Sequence, residues 1–147
     1  MQIIAVNIEN TKDIKNIMNL IHDTFLSSNI QDSTEGLIKR MKVLYSPEND
    51  YTYTLAHFKK STLFFVAKEQ EEIIGMIRGT KDKIINLYVT QKYQGQGIGH
   101  ILLETFEQAA KKLGSTIIQL KSSKYALPFY AKNGYIVDHH NRLIKYI

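Results

Sequence analysis

The sequence predicts a single α/β (α+β) domain, residues 1–147, with strands and helices mixed along the chain. Three observations predict it. A length of 147 residues suits one compact core that needs no covalent staples. The N-terminal third repeats apolar residues at helical spacing, whereas residues 62–79 form two apolar, β-prone runs. Further on, an apolar strand passes through a glycine-rich turn directly into a long periodic helix.

Ile3 to Asn7 reads as a short strand, after which Thr11 stands as the cap of a helix. The helix's apolar positions, Ile14, Ile17, Met18, Leu20, Ile21 and Phe25, recur every three or four residues. A polar break at Ser27-Ser28-Asn29 precedes Asp32 and Ser33. Leu37, Ile38, Met41 and Leu44 then predict a second amphipathic helix, closed by Ser46-Pro47-Glu48-Asn49-Asp50. Tyr51 to Lys60 has no clean period and reads as a loop or a short helix. Thr62 to Lys68 and Ile73 to Gly79, parted by Glu69-Gln70-Glu71-Glu72, give a hairpin, and Ile84 to Val89 the next strand. The helix after the glycine turn carries Ile98, Ile101, Leu102, Phe106, Ala109, Ala110 and Leu113, with Gly114 where it should stop. Thr116 to Leu120 is a strand, and Ala126 to Lys132 a short helix ended by Asn133-Gly134. Tyr135 to Asp138 and Leu143 to Ile147 pair around the polar Asp138-His139-His140-Asn141-Arg142.

Composition narrows the function classes. Hydrophobic residues at 44% and charged residues at 22% are ordinary globular proportions, which gives disorder no support. With no cysteine there is no disulfide, thiolate metal site or cysteine nucleophile. The N-terminus lacks a basic start followed by a long apolar run, and no segment approaches the ~18 apolar residues of a membrane span. A cytoplasmic protein with no membrane partner is the expectation. The net charge of +5 invites a nucleic-acid reading. Yet the basic residues fall in short pairs, Lys39-Arg40, Lys59-Lys60 and Lys111-Lys112, so solvated faces and a polyanionic small ligand explain them better, and no nucleic-acid partner is expected.

The chemistry concentrates in residues 84–103, IINLYVTQKYQGQGIGHILL. Alternating glycines let backbone amides approach a ligand closely, and the free N–H groups and positive end of the following helix face an anion. A pyrophosphate suits such a turn. The dinucleotide fingerprint Gly-x-Gly-x-x-Gly fails, because His100 stands where the third glycine should fall. The phosphate loop fails too, since no Gly-Lys-Ser/Thr follows. What matches is Gln/Arg-x-x-Gly-x-Gly/Ala, filled by Gln94, Gly97 and Gly99, which resembles the acetyl-CoA motif of the GNAT superfamily of N-acetyltransferases. Downstream, residues 125–135, YALPFYAKNGY, resemble the family's later segment, a short tyrosine-bearing helix ending at a glycine before an aromatic strand.

The resemblance implies a central mixed, mostly antiparallel sheet of about six to seven strands, flanked by about four helices, with splayed central strands. It implies acetyl-CoA as co-substrate and a small-molecule or peptide amine as acceptor, in a monomer or homodimer. By the same resemblance Leu87, Tyr88 and Val89 would meet the pantetheine arm and acyl carbonyl. The amides of Gln96, Gly97, Ile98, Gly99 and His100 would hold the pyrophosphate, with Gln94 close by and Gly95 in the same turn. Ser123 falls where many relatives have asparagine and would bond the cofactor less extensively. Tyr130 would protonate the departing sulfur, while Phe129 reads as an aromatic closing the core. Lys124 and Lys132 read as solvated charges within reach of the nucleotide's extra phosphate.

A phenol of reference pKa near 10 is protonated at neutral pH and suits proton donation to a thiolate. The amine is harder. Deprotonating a lysine-like amine of pKa ~10.4 at pH 7 costs roughly 4 to 5 kcal/mol, against about 2 for a thiolate of pKa ~8.5. No carboxylate stands out as its base: Asp32, Glu35, Glu48 and Asp82 each read as solvated. Adjacent His139 and His140 would point to opposite faces of a strand, so they read as a polar turn and no metal site is expected. Arg78, Tyr45 and Tyr88 are candidates for shaping the acceptor pocket. Direct attack of the amine on the thioester fits best, and a non-enzymatic acyl-CoA sensor is the alternative.

Overall fold

The computed structural model describes residues 1–28, 33–46, 48 and 51–147. Asn29, Asp32, Pro47, Asn49 and Asp50, which the sequence assigns to breaks between helices or to candidate bases, lie outside the described residues. The chain runs β1 (Gln2–Ala5), α1 (Thr11–Ser28), α2 (Glu35–Tyr45), α3 (Tyr51–Phe58), β2 (Leu63–Glu69), β3 (Glu72–Thr80), β4 (Lys83–Val89), α4 (Ile98–Lys112), β5 (Ile117–Leu120), α5 (Leu127–Lys132), β6 (Ile136–Val137) and β7 (Leu143–Tyr146). Five α-helices are present among the described residues, against about four expected. The additional one is α3, whose weak period left it open between loop and helix.

One seven-stranded sheet organises the molecule in the order β1-β2-β3-β4-β5-β7-β6. Every neighbouring pair is antiparallel except β4 and β5. That parallel pair is joined only at Lys83↔Gln119, with a further bond from the Gln119 N–H to the Asp82 carbonyl at 2.9 Å. Beyond that point β4 has lost its neighbour on one side. The expected splay is therefore a property of the register.

Side-chain alternation divides the core between the two faces. Phe64, Val66, Ile73 and Met76 join Ile14, Ile17, Met18, Ile21, Leu44 and Phe58 beneath α1, α2 and α3. Ala67, Ile74, Ile77 and Ile84 face the other way, onto Ile98, Leu102, Leu103, Phe106 and Ala110 of α4. Ile73 and Ile74 reach opposite faces next to a register shift at Ala67/Lys68, where β3 holds one extra residue. Phe106 is fully buried, and truncating it to alanine would cost about 3–5 kcal/mol.

The helix ends follow local chemistry. Asn10, rather than the expected Thr11, caps α1, because its Oδ1 accepts from the Asp13 N–H at 3.1 Å and its carbonyl takes the Ile14 N–H. Thr34 caps α2 through its hydroxyl, which accepts from the Leu37 N–H. Gly114 adopts φ 88° and closes α4, with the Ser115 N–H returning to the Ala110 carbonyl. His139 and His140 sit in the turn between β6 and β7 with rings 4.1 Å apart. The expectation of opposed side chains assumed strand geometry that this turn does not have. Among the described residues, no group of acidic or histidine side chains is placed to hold a metal, and no helix is long and apolar enough to cross a membrane.

Candidate active site

A cleft of about 640 Å³ opens where β4 parts from β5. Its walls are the end of β4, the glycine turn with the start of α4, and α5. A larger depression of about 770 Å³ lies elsewhere, beside α2, and contains none of the expected site residues. Ten of the expected residues line the smaller cleft: Leu87, Tyr88, Val89, Gln94, Gly95, Gly97, Ile98, Gly99, His100 and Tyr130. Gln96 and Ser123 do not. Gln96 is exposed within the turn, and the Ser123 hydroxyl instead accepts from the Ala126 N–H at 3.3 Å, capping a short 3₁₀ turn.

Hydrogen-bond direction along β4 can be counted from a fixed point. The Thr90 N–H bonds to the Ile74 carbonyl of the β3 side. In an antiparallel ladder alternate residues turn their backbone groups to the same neighbour, so Tyr88 and Asn86 also address β3. Leu87 and Val89 consequently address the gap where β5 is missing. The Val89 carbonyl bears this out, since it accepts from Gln94 Nε2 at 2.9 Å rather than from β3.

The turn after β4 is shaped by two left-handed glycines. Gly95 has φ 77° and Gly97 φ 84°, yet a Cβ on either would meet nothing within 4 Å. Conformation, not space, requires glycine there. Gly99 is different: an added Cβ would come within 3.2 and 3.3 Å of the Phe129 ring. Because Gly99 has no side chain, Phe129 packs over the first turn of α4, where it closes the core as expected and also lines the cleft. The amides of Ile98, Gly99 and His100 open α4 and have no acceptor within the helix.

Side-chain bonds tie the walls together. The Tyr125 hydroxyl donates to Gln94 Oε1 at 3.0 Å. Asn133 Nδ2 donates to the Phe129 carbonyl at 2.8 Å, which turns Asn133 Oδ1 toward His100 Nδ1, 2.6 Å away. That contact makes Nδ1 the protonated nitrogen of His100. Tyr125, Phe129 and Asn133 were missed as site residues, although their spacing of four marks one helical side of the second motif. Thr24, 6% exposed on the apolar side of α1, reaches the cleft as well. A threonine inside an apolar stripe was the available signal.

Tyr130 is 5% exposed, and its ring meets Phe129 and Tyr135 edge-on, with centroids 5.1 and 5.5 Å away. Burial, reinforced by the nearby Tyr88 phenol, raises its pKa well above the ordinary 10. Of the residues offered for the acceptor pocket, only Tyr88 lines the cleft. Arg78 and Tyr45 are buried under α2 and α3, where Arg78 Nη2 donates to the Tyr45 hydroxyl at 3.3 Å. Glu35 and Glu48 are exposed away from the cleft, and Asp82 accepts from the Thr80 hydroxyl at 2.9 Å. Among the described residues, no carboxylate lines the cleft.

The family model described as an acetyltransferase (GNAT) domain matches residues 30–146. The chain belongs to the GNAT acetyltransferase family. By family it is an acetyl-CoA-dependent N-acetyltransferase with acetyl-CoA as co-substrate, as the glycine motif led the sequence to predict. Solved structures agree in fold. A GCN5-related N-acetyltransferase from Rhodopseudomonas palustris superimposes with a TM-score of 0.80 at 19% identity, covering 99% of this chain and 95% of the other. The PaiA N-acetyltransferase of Thermoplasma acidophilum, solved in complex with coenzyme A, gives 0.76 at 22% identity over 97% and 95%. A GNAT family acetyltransferase of Brucella melitensis, solved with acetyl-CoA, gives 0.69 at 17% over 99% and 87%.

Proposed function

We propose that residues 1–147 form one N-acetyltransferase domain that holds acetyl-CoA in the β4–α4–α5 cleft and passes its acetyl group directly to a small-molecule or peptide amine. The single observation that carries this reading is the junction of the β4 gap with the α4 amides that have no acceptor within the helix, in one cleft that Tyr130 also lines. The pyrophosphate would lie on the amides of Gly97, Ile98, Gly99 and His100, where the helix N-terminus favours negative charge. Gln96 and Gly95 shape that turn. Ser123, with its hydroxyl capping a turn, has a minor part at most, while Lys132 lines the cleft and is the better placed lysine for a further phosphate.

The pantetheine arm would run along the free edge of β4, bonding the backbone of Leu87 and Val89, with Tyr88 toward the acceptor side. The amine nitrogen attacks the thioester carbon, and a backbone N–H in the gap receives the developing oxyanion. As the C–S bond breaks, Tyr130 gives its phenolic proton to the sulfur. The proton lost by the amine passes to water, and solvent reprotonates the tyrosine. Burial holds the Tyr130 phenol in its neutral, proton-bearing form, while making it a weaker acid than an ordinary tyrosine.

The test is thiol release from acetyl-CoA over a panel of amines, run on the wild type and on Tyr130→Phe. The variant is expected to bind CoA as the wild type does and to lose about 10²-fold in kcat, at the lower end for general-acid catalysis because a thiolate is a fair leaving group. Unchanged turnover in Tyr130→Phe would remove the tyrosine from the mechanism. No thiol release with any amine would remove the acceptor class.

A further inference from the structure

Between α2 and α3 lies a groove of about 290 Å³ lined by Lys39, Arg40, Val43, Leu44, Tyr53 and His57 among others, and it shares no residue with the acetyl-CoA cleft. We propose that this groove is a second binding site, for a compact oxyanion such as a phosphate or carboxylate group on a small ligand. No carboxylate lines it among the described residues. Arg78 of β3, only 4% exposed, does not line the groove but bonds the carbonyl of His57, which does.

The surroundings of Arg78 are polar but neutral. Nε donates to Asn86 Oδ1 at 2.7 Å, Nη1 to the Ser61 hydroxyl at 3.1 Å and the His57 carbonyl at 3.5 Å, and Nη2 to Tyr45. The guanidinium carbon also sits 5.0 Å from the Phe58 ring centroid. These partners engage all three guanidinium nitrogens, but among the described residues none of them carries a counter-charge, an arrangement that is unfavourable unless something compensates it. The residue whose carbonyl Arg78 holds is His57, whose ring lines the groove.

Positive charge thus reaches the groove from three elements: Lys39 and Arg40 on α2, Lys60 just after α3, and Arg78 on β3. His57 registers this. Burial first, then Lys60, Arg78 and Arg40, hold its pKa below the ordinary value. An oxyanion there would supply the missing charge, accept from the Arg40 fork and draw a proton onto His57. The volume, at the lower edge of the ~300–1,000 Å³ typical of drug-sized ligand sites, suits such a group better than a nucleotide.

NMR titration of the His57 ring in the full chain tests this, with rising inorganic phosphate at an ionic strength held constant by potassium chloride. Saturable binding that raises the His57 midpoint by about one pH unit, a tenfold preference for the protonated ring, is expected. His139 and His140 should not follow it. Arg40→Gln, a change at an exposed position, should weaken phosphate binding roughly fivefold or more. Acetyl-CoA should leave His57 unmoved. The proposal is overturned if the midpoint follows ionic strength alone, if Arg40→Gln binds phosphate like the wild type, or if acetyl-CoA moves His57 as far as phosphate does.

Discussion

The Tyr125 hydroxyl donates to Gln94 Oε1 at 3.0 Å, and the same glutamine's Nε2 donates to the Val89 carbonyl at 2.9 Å. One side chain thus joins the end of β4 to the segment before α5, across the cleft. The Gln94 amide oxygen and one of its two Nε2 hydrogens are engaged in these bonds.

Removing the Tyr125 hydroxyl therefore separates positioning from direct ligation. Tyr125→Phe deletes one partly exposed hydrogen bond of about 1 kcal/mol and leaves the α4 amides untouched. The KM for acetyl-CoA should rise roughly fivefold with kcat nearly constant. Steady-state kinetics read the split, and a fall in kcat with KM unchanged would contradict the positioning role.

The left-handed turn makes a second prediction. Gly97 stands at φ 84° with open space around its Cβ position, so alanine there meets backbone strain and no clash. Gly97→Ala should cost about 1–2 kcal/mol of stability and weaken CoA binding, because relief of the strain turns the amides of α4 away from a common centre. Urea unfolding and calorimetric titration with CoA measure the two effects. An alanine variant that binds CoA as tightly as the wild type would separate the turn from the ligand.

Most of the lining of the candidate cleft was legible in the sequence, and the reason is local. Gln94, Gly95, Gly97, Ile98, Gly99 and His100 are consecutive or nearly so, and one strand–turn–helix unit brings them together. Tyr130 was legible through its motif. Phe129 and Asn133 were not, because their roles depend on α5 lying across the first turn of α4, which is settled by the absence of a Cβ at Gly99 and by the His100–Asn133 contact. Ser123 does not line the cleft, and its hydroxyl oxygen accepts from the Ala126 N–H, a local bond that the sequence reading did not anticipate. In the fold, α3 is legible only as a loop or a short helix because Tyr51–Phe58 has a weak helical period, and its burial of Thr54 and Phe58 is a tertiary outcome.

With no carboxylate among the described lining residues, the acceptor's own pKa is expected to govern the pH dependence of turnover. If the amine loses its proton to water, kcat/KM should climb about tenfold per pH unit below the acceptor's own pKa and level off near it. A lysine-like acceptor would then still be climbing at pH 9, while an α-amino acceptor of pKa ~7.7–8.0 would have levelled. Rate profiles with both acceptors decide the matter. A common break near pH 6 to 7 for both would reveal a titrating base in the protein.

Tyr130 and Tyr135 make stability, as distinct from rate, fail at high pH. Burial raises both pKa values above 10, and for Tyr135 the Glu107 carboxylate that accepts its hydroxyl at 2.9 Å adds to the effect. The neutral phenols are thus favoured in the fold. Their contribution is complete below pH 10 and is lost above it, because the unfolded chain releases protons that the folded chain retains. Each tyrosine should steepen the decline by about 1.4 kcal/mol per pH unit until it ionises in the folded state. Tyr135→Phe should lower neutral-pH stability by about 1.5–3 kcal/mol, since Glu107 loses the hydroxyl at Oε1 and retains Lys145 at Oε2, and should flatten the alkaline slope. Tyr130→Phe should flatten that slope with a smaller neutral-pH change. Urea unfolding from pH 7 to 11 compares the three proteins, and parallel slopes would mean that neither phenol resists ionisation in the folded state.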